Sequence, residues 1–343
     1  MRCQYLPFVD ERKKKTRWKI LHCSGHVEIT GRTRTSSEID REIDSELPRG
    51  ENAFLVTMED ETMNPVRYEK PEHIDIACKL LAEFGSRAAV LAGGTDLLVY
   101  LRSGQKRPEL VIDIKGIEDL HRNIWHADGG LELGACVTLR QIAADARIRQ
   151  TYPAFAEAAE SVGSYQVRCR ATVGGNLCNA SPCADMAPVL LAHGALLRVA
   201  GPDGERESQI DCFFLGVKQC ALKSGEILTH IVLPPPPQGG KSSFHKATRL
   251  RGHDLALVSA AGMYDPATRN MRVALGSVAT TPLLITCPDG LCRPGATPET
   301  VAADLAAAAL AQIKPIDDVR ASARYRLEMA ELLCRRVALD LLA

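Results

Sequence analysis

The pattern of apolar and polar positions changes character at Asn64-Pro65. Before that dipeptide, Lys13-Lys14-Lys15 and a polar stretch from Thr33 to Glu46 interrupt any sustained apolar period. Residues 1–62 are therefore expected to be a non-conforming or disordered N-terminal extension. Met58 and Met63 both precede the change, so an upstream-misplaced start codon and a disordered tail are alternative explanations of it.

After Asn64 the signals are regular. Ile74, Ala77, Cys78 and Leu81 recur at helical spacing, and the apolar run Ala88 to Ala92 predicts a strand that ends at Gly93-Gly94. Leu97, Leu98 and Leu101 predict a short helix, and Leu110 to Ile114 the next buried strand. From Leu131 to Leu233 strands alternate with helices. Leu139, Ile142, Ala143 and Ala146 form one helix face, and Phe155, Ala158, Ala159 and Val162 another. Pro234 to Pro237 with Gly239-Gly240 forbids regular structure and marks a boundary. Beyond it, Phe244–Arg249, Ala256–Met263 and Val273–Ser277 read as three strands, the last two parted at Asp265-Pro266. Two helices follow, over Glu299–Ala311 and along Leu327, Ala330, Cys334, Val337 and Leu341. The expected division is 1–62, then 63–237 in two parts (63–118 and 119–237), then 241–343.

Composition narrows the function. Lysine plus arginine and aspartate plus glutamate each number 42 in 343 residues, so the chain lacks the positive field of a nucleic-acid binder. No apolar run has membrane-spanning length and no export signal is legible, which predicts a cytoplasmic protein with neither nucleic acid nor membrane as partner. Its 12 cysteines are scattered, and Cys169, Cys178 and Cys183 lack the paired spacing of zinc or iron–sulfur sites. Most are expected to be buried thiols, and no metal site is assigned.

Two segments carry candidate chemistry. Ala92-Gly93-Gly94-Thr95-Asp96 follows a strand and opens a helix, a place where exposed backbone N–H groups can hold a diphosphate. It is not the GxGxxG of a dinucleotide-binding Rossmann domain. The second, from Arg170 through Gly174-Gly175-Asn176 to Asp185, is another Gly-Gly turn, and two such loops can clasp one diphosphate. Asp185 opens an apolar helix, where a carboxylate either caps the helix or accepts hydrogen bonds from ribose hydroxyls. Read alone, capping is the simpler role for Asp185, and a solvated strand lysine the simpler role for Lys246.

These segments, their order, Lys246-x-x-Arg249 followed by Asp254-Leu255-Ala256, and the terminal Lys314 to Ser322 with Tyr325-Arg326 resemble the FAD subunits of molybdenum hydroxylases. The likeness to this xanthine dehydrogenase and carbon monoxide dehydrogenase family runs from Asn64 to the C-terminus. It implies an α+β chain: a p-cresol methylhydroxylase-type FAD-binding fold of two subdomains, plus a C-terminal three-stranded sheet with helices. It also implies site roles. Val90, Leu91, Ala92, Gly93, Gly94, Thr95, Asp96 and Leu97 would wrap the FAD diphosphate, largely with backbone donors. Thr172, Gly174, Gly175 and Asn176 would form the opposing clasp. Asp185 would hold the adenosine ribose, Leu228 would pack near the flavin, and Lys246 would approach the isoalloxazine.

The same resemblance implies non-covalent FAD, since the first loop has Thr95 where a histidine attachment would need His. Some relatives insert a cluster-binding, cysteine-rich segment between the positions of Cys183 and Asp185; here only Ala184 lies between them. The implied role is electron relay. A molybdopterin-binding large subunit hydroxylates substrate, two 2Fe-2S clusters in an iron–sulfur subunit carry electrons, and FAD delivers them to NAD or another acceptor. Xanthine is the default substrate, and no catalytic acid or base is assigned to this chain. The competing readings are a stand-alone FAD oxidase or dehydrogenase of the same fold and a flavin-free assembly subunit.

Overall fold

The computed structural model describes residues 16–22, 25–31, 55–58, 66–250 and 252–343. The chain forms two compact units, Met1–Pro65 and Val66–Ala343. In the first, β1 (Thr16–His22) pairs antiparallel with β2 (Gly25–Gly31) and β3 (Leu55–Met58), Trp18 standing opposite both Ile29 and Met58. Regular structure thus reaches into the stretch expected to lack it. Trp18 and Ile20, like Val27 and Ile29, alternate with polar neighbours, a strand signal only a few residues long. The rest of residues 1–62 lies outside the described residues.

The second unit opens with β4 (Arg67–Glu69), α1 (Ile74–Phe84), β5 (Ala88–Leu91), α2 (Leu97–Arg102) and β6 (Leu110–Asp113). The three strands form a parallel sheet in the order β4-β6-β5. Parallel neighbours require crossovers, and the helical connections α1 and α2 supply them. The middle strand β6 is buried along its whole length, as its unbroken apolar run predicts.

Next come β7 (Asn123–Trp125), β8 (Leu131–Gly134), α3 (Leu139–Ala144), α4 (Ala146–Thr151), α5 (Pro153–Ser161), α6 (Tyr165–Arg168), α7 (Val173–Cys178) and α8 (Met186–His193). They are followed by β9 (Leu196–Gly201), β10 (Gly204–Gln209), the short hairpin β11 (Phe214–Gly216) and β12 (Gln219–Cys220), and β13 (Ile227–Leu233). An antiparallel sheet runs in the order β10-β9-β13-β8-β7. The single helix expected through Ala146 is broken. Asp145 takes an extended conformation and its carboxylate accepts from the N–H groups of Arg147 and Ile148, capping α4 and ending α3. Every residue of α8 is buried, so this helix is apolar all round and forms the axis of the core.

The C-terminal part holds β14 (Lys241–Ala247), β15 (Val258–Asp265), β16 (Asn270–Gly276), β17 (Leu283–Ile285), α9 (Pro298–Gln312) and α10 (Ala323–Leu342). Its sheet is an antiparallel meander of four strands, not three; β17 has only three residues, too short to display an alternation. Alternation separates its faces. Phe244, Ala261 and Ala274 join the core of the preceding sheet, whereas Val258, Ala260, Val273 and Leu275 pack under α9 and α10. At Gly262 a Cβ would stand 2.4 Å from Val337 Cγ1, so glycine lets α10 lie close on β15. The proline run connects these parts without separating them, and Tyr152 donates to the Pro234 carbonyl at 2.9 Å. Among the described residues no helix is long and apolar enough to cross a membrane.

Candidate functional site

The two Gly-Gly segments meet. A cleft of about 900 Å³, within the size range of cofactor sites, is lined by the first loop, the second loop, the β13 residue Leu228 and the 253–255 turn. Of the fifteen residues expected at the site, all line this cleft except Leu91 and Lys246. Leu91 lies behind the loop, its Cδ1 3.0 Å from where a Cβ on Gly94 would be.

The glycines are needed chiefly by the fold. A Cβ on Gly93 would fall 2.1 Å from the Arg170 carbonyl oxygen, so this residue is where the two loops touch. Gly94 has φ +78°, a left-handed conformation that side chains disfavour. Gly174 packs against Ala135, where a Cβ would stand 2.6 Å from the Ala135 Cβ.

The loops differ in what they leave free. In the first, the backbone N–H groups of Gly94, Thr95, Asp96 and Leu97 donate to no protein group among the described residues. In the second, Thr172 caps α7 and the backbone donors are consumed. Val173 donates to Val137 O, Gly174 to Ala135 O, Gly175 to the Thr172 hydroxyl and Asn176 to Thr172 O, each at 3.0 Å. What this side offers is acceptors. Asn176 Oδ1 and Asp185 Oδ1 are buried without a hydrogen-bond partner, and both residues line the cleft. Asn179 donates to Asp96 at 2.8 Å and ties the loops together.

Asp185 makes no cap hydrogen bond. Its Oδ2 accepts from Lys246 Nζ at 2.7 Å, with the two side chains only 6% and 8% exposed, and Lys246 also donates to the Ser161 carbonyl at 3.0 Å. Burial pushes the Asp185 carboxyl up to about 6 against the pull of Lys246. The strand lysine is therefore not solvated. The resemblance set Asp185 at the adenosine ribose and Lys246 at the isoalloxazine. In the structure the two side chains form one ion pair, and of the two only Asp185 lines the cleft.

Sequence reasoning missed Tyr100, Lys106, Arg107, Glu226 and His253, all of which line the cleft, and gave Leu255, which also lines it, no site role. Lys106-Arg107, a basic pair just past the first loop, was the legible signal. Cys183 lines the cleft too and accepts a hydrogen bond from Arg320 Nη1 at 3.6 Å. The cysteines among the described residues are free, and no group of three or more His, Cys, Asp and Glu side chains there converges to hold a metal.

The residues present fit FAD. Unused N–H donors on one wall match a diphosphate, and orphaned acceptors on the other match the hydroxyls that flank it.

Comparison with known proteins agrees. Residues 63–236 match the family described as FAD binding domain in molybdopterin dehydrogenase, and residues 242–341 match CO dehydrogenase flavoprotein C-terminal domain. The chain is 32% identical over 283 residues to the carbon monoxide dehydrogenase medium chain of Hydrogenophaga pseudoflava, covering 80% of this chain and 96% of that one. It is 35% identical over 220 residues to caffeine dehydrogenase subunit beta of a Pseudomonas species, covering 63% and 74%. It is 28% identical over 280 residues to the xanthine dehydrogenase FAD-binding subunit of Escherichia coli O157:H7, covering 80% and 96%. Among solved structures, carbon monoxide dehydrogenase from Hydrogenophaga pseudoflava superposes with a TM-score of 0.77 at 28% identity, covering 81% of this chain and 97% of that one. Quinoline 2-oxidoreductase from Pseudomonas putida 86 does so with a TM-score of 0.75 at 26% identity, covering 81% and 97%. The chain belongs to the FAD-binding medium subunits of the molybdopterin-dependent hydroxylases, the xanthine and carbon monoxide dehydrogenase family.

Proposed function

We propose that this chain takes electrons from the iron–sulfur clusters of a partner subunit and passes them to NAD, within a complex whose molybdopterin subunit hydroxylates a purine such as xanthine. The observation that carries the FAD part is the cleft with donors on one wall and orphaned acceptors on the other, in a chain matched by both family domains. The purine is supported by relatives named for xanthine and caffeine, and the partner subunits by relatives that are themselves subunits.

FAD, when bound, exchanges one-electron for two-electron transfer, which is what links iron–sulfur clusters to NAD. The protein's residues bind and orient. Gly94 to Leu97 present N–H groups to the diphosphate, Asn176 and Asp185 accept from cofactor hydroxyls, and Leu228 supplies an apolar wall. Lys246 acts as a positioning residue that fixes the Asp185 carboxylate. Thr95 in place of an attaching histidine keeps the cofactor non-covalent.

Native purification of the chain tests this reading. Flavin absorbance, co-isolation of iron–sulfur and molybdopterin subunits, and xanthine-dependent NAD reduction are expected. A flavin-loaded chain that isolates alone and oxidises a substrate by itself would overturn the relay and favour a stand-alone oxidase.

A further inference from the structure

The wall of the cleft beside the first loop carries positive charge that the fold itself does not use. After α2 the chain turns through Gly104 (φ +69°), and the Lys106 N–H donates to Tyr100 O at 3.2 Å, holding Gln105 to Pro108 along the cleft. Lys106 Nζ lies 5.7 Å from the Tyr100 ring centroid. Lys218 Nζ, from the β11–β12 turn of the other subdomain, lies 5.7 Å from the same ring; Lys218 does not itself line the cleft and approaches it only through Tyr100, which does. Arg107 folds back over Gly104, where a Cβ would meet its Nη2 at 3.3 Å.

None of these three cations is ion-paired among the described residues. Of the carboxylates on this side, Glu109 pairs with Arg87 at 2.7 Å, while Asp96 accepts from the neutral Asn179 amide at 2.8 Å and keeps its charge.

The backbone at Lys218 is tied to the second segment. Lys218 has φ +60°, and its N–H donates at 2.9 Å to the carbonyl of Ala180, which has φ 44°. Two left-handed non-glycine residues bonded to each other persist only when surrounding structure enforces them. Lys106 and Lys218 thus meet at the same Tyr100 ring, and an anion between two ammonium groups lowers their mutual repulsion. Backbone N–H groups in the first loop supply hydrogen bonds but no net charge, and those of the second loop are already satisfied. A diphosphate in this cleft therefore finds its counter-charge only in side chains.

We propose that Lys106, Arg107 and Lys218 neutralise the FAD diphosphate, two cations from one subdomain and one from the other, and so select a dinucleotide over a bare flavin. The inference rests on the FAD reading above.

The test uses flavin-stripped full-length protein titrated calorimetrically with FAD, ADP and riboflavin at low and high salt. The variants are Lys106→Met/Arg107→Met and Lys218→Met. In the double variant FAD and ADP should each bind about tenfold more weakly at low salt, the scale expected for two exposed charges. Riboflavin affinity should stay within about twofold, and the FAD deficit should shrink as salt screens the wild-type charges. Lys218→Met should lower FAD and ADP affinity in the same direction by a smaller factor. Wild-type affinity for FAD and ADP in the double variant would overturn the proposal, as would an equal loss for riboflavin, which places the effect outside the diphosphate. Wild-type apoprotein that binds none of the three would sink the FAD reading itself, and this one with it.

Discussion

Replacing Lys246 with Met isolates the electrostatics of the buried pair, because methionine retains most of the stem and removes the ammonium. In the wild type Asp185 and Lys246 are 2.7 Å apart and nearly inaccessible, and burial already lifts the carboxyl from 3.8 to about 6. Without Lys246 the influences that lower it vanish, so it rises further. A carboxyl raised in the folded state favours folding at low pH, and that contribution is lost as pH climbs from the unfolded value through the folded one. Wild type and variant should therefore lose stability in parallel between about pH 4 and about pH 6, then part. Above that point the wild type levels off while the variant loses ~1.4 kcal/mol per pH unit until its own carboxyl ionises. Leaving one buried charge without its partner costs about 3–5 kcal/mol, which bounds the gap. Urea unfolding of apoprotein from about pH 5 to about pH 8 reads the gap directly. A deficit independent of pH, or a Lys246→Met/Asp185→Asn double variant no more stable at about pH 8 than the single one, would refute the argument.

The remaining predictions concern the loop contact and the N-terminal unit. Gly93→Ala places a Cβ 2.1 Å from a backbone oxygen that cannot swing away, so the loops should separate and flavin should be lost on gel filtration; full flavin occupancy would show that the contact is dispensable. A chain beginning at Met63 should fold and retain FAD, because Val66–Ala343 forms its own compact unit and the family match starts at residue 63. Insoluble or flavin-free protein would assign the first unit a role in the fold.

Much of the architecture was legible because it rests on local periodicity. The Ile74 stripe became α1, the Leu110 run became the central parallel strand β6, and the proline run fell between β13 and β14. Both segments were found because Gly-Gly pairs flanked by hydrogen-bonding residues are rare enough to notice, although only the first follows a strand; Gly174-Gly175 lies inside α7, after α6. What escaped notice depends on contacts distant in sequence. Lys246 reads as a surface lysine until Asp185, 61 residues away, and the Ser161 carbonyl, 85 residues away, close around it. Asp185 reads as a helix cap until that pairing removes its carboxylate from the helix end. Lys218 carries no sequence sign at all: its left-handed backbone and its N–H bond to the Ala180 carbonyl are seen only in the fold. Asp145 was readable as an N-cap and was passed over in favour of a continuous helical stripe.

The two Gly-Gly loops look alike as sequence yet contribute opposite chemistry, and hydrogen-bond bookkeeping separates them. Threonine before the second pair caps α7, and the neighbouring carbonyls of Ala135 and Val137 take the remaining donors, so glycine there serves packing. The first loop has no such cap: Asp96, at the corresponding helix start, makes no cap hydrogen bond and turns its carboxylate to Asn179. Donors and cations consequently line one wall, and Asn176 and Asp185 line the other with acceptors. A ligand that satisfies both must present an anion to the first and hydroxyl donors to the second. Riboflavin lacks the anion, and inorganic diphosphate lacks the sugar hydroxyls, so each leaves one wall with unmet polar groups. A diphosphate flanked by ribityl and ribose hydroxyls meets both at once, which is the physical ground for reading this cleft as an FAD site.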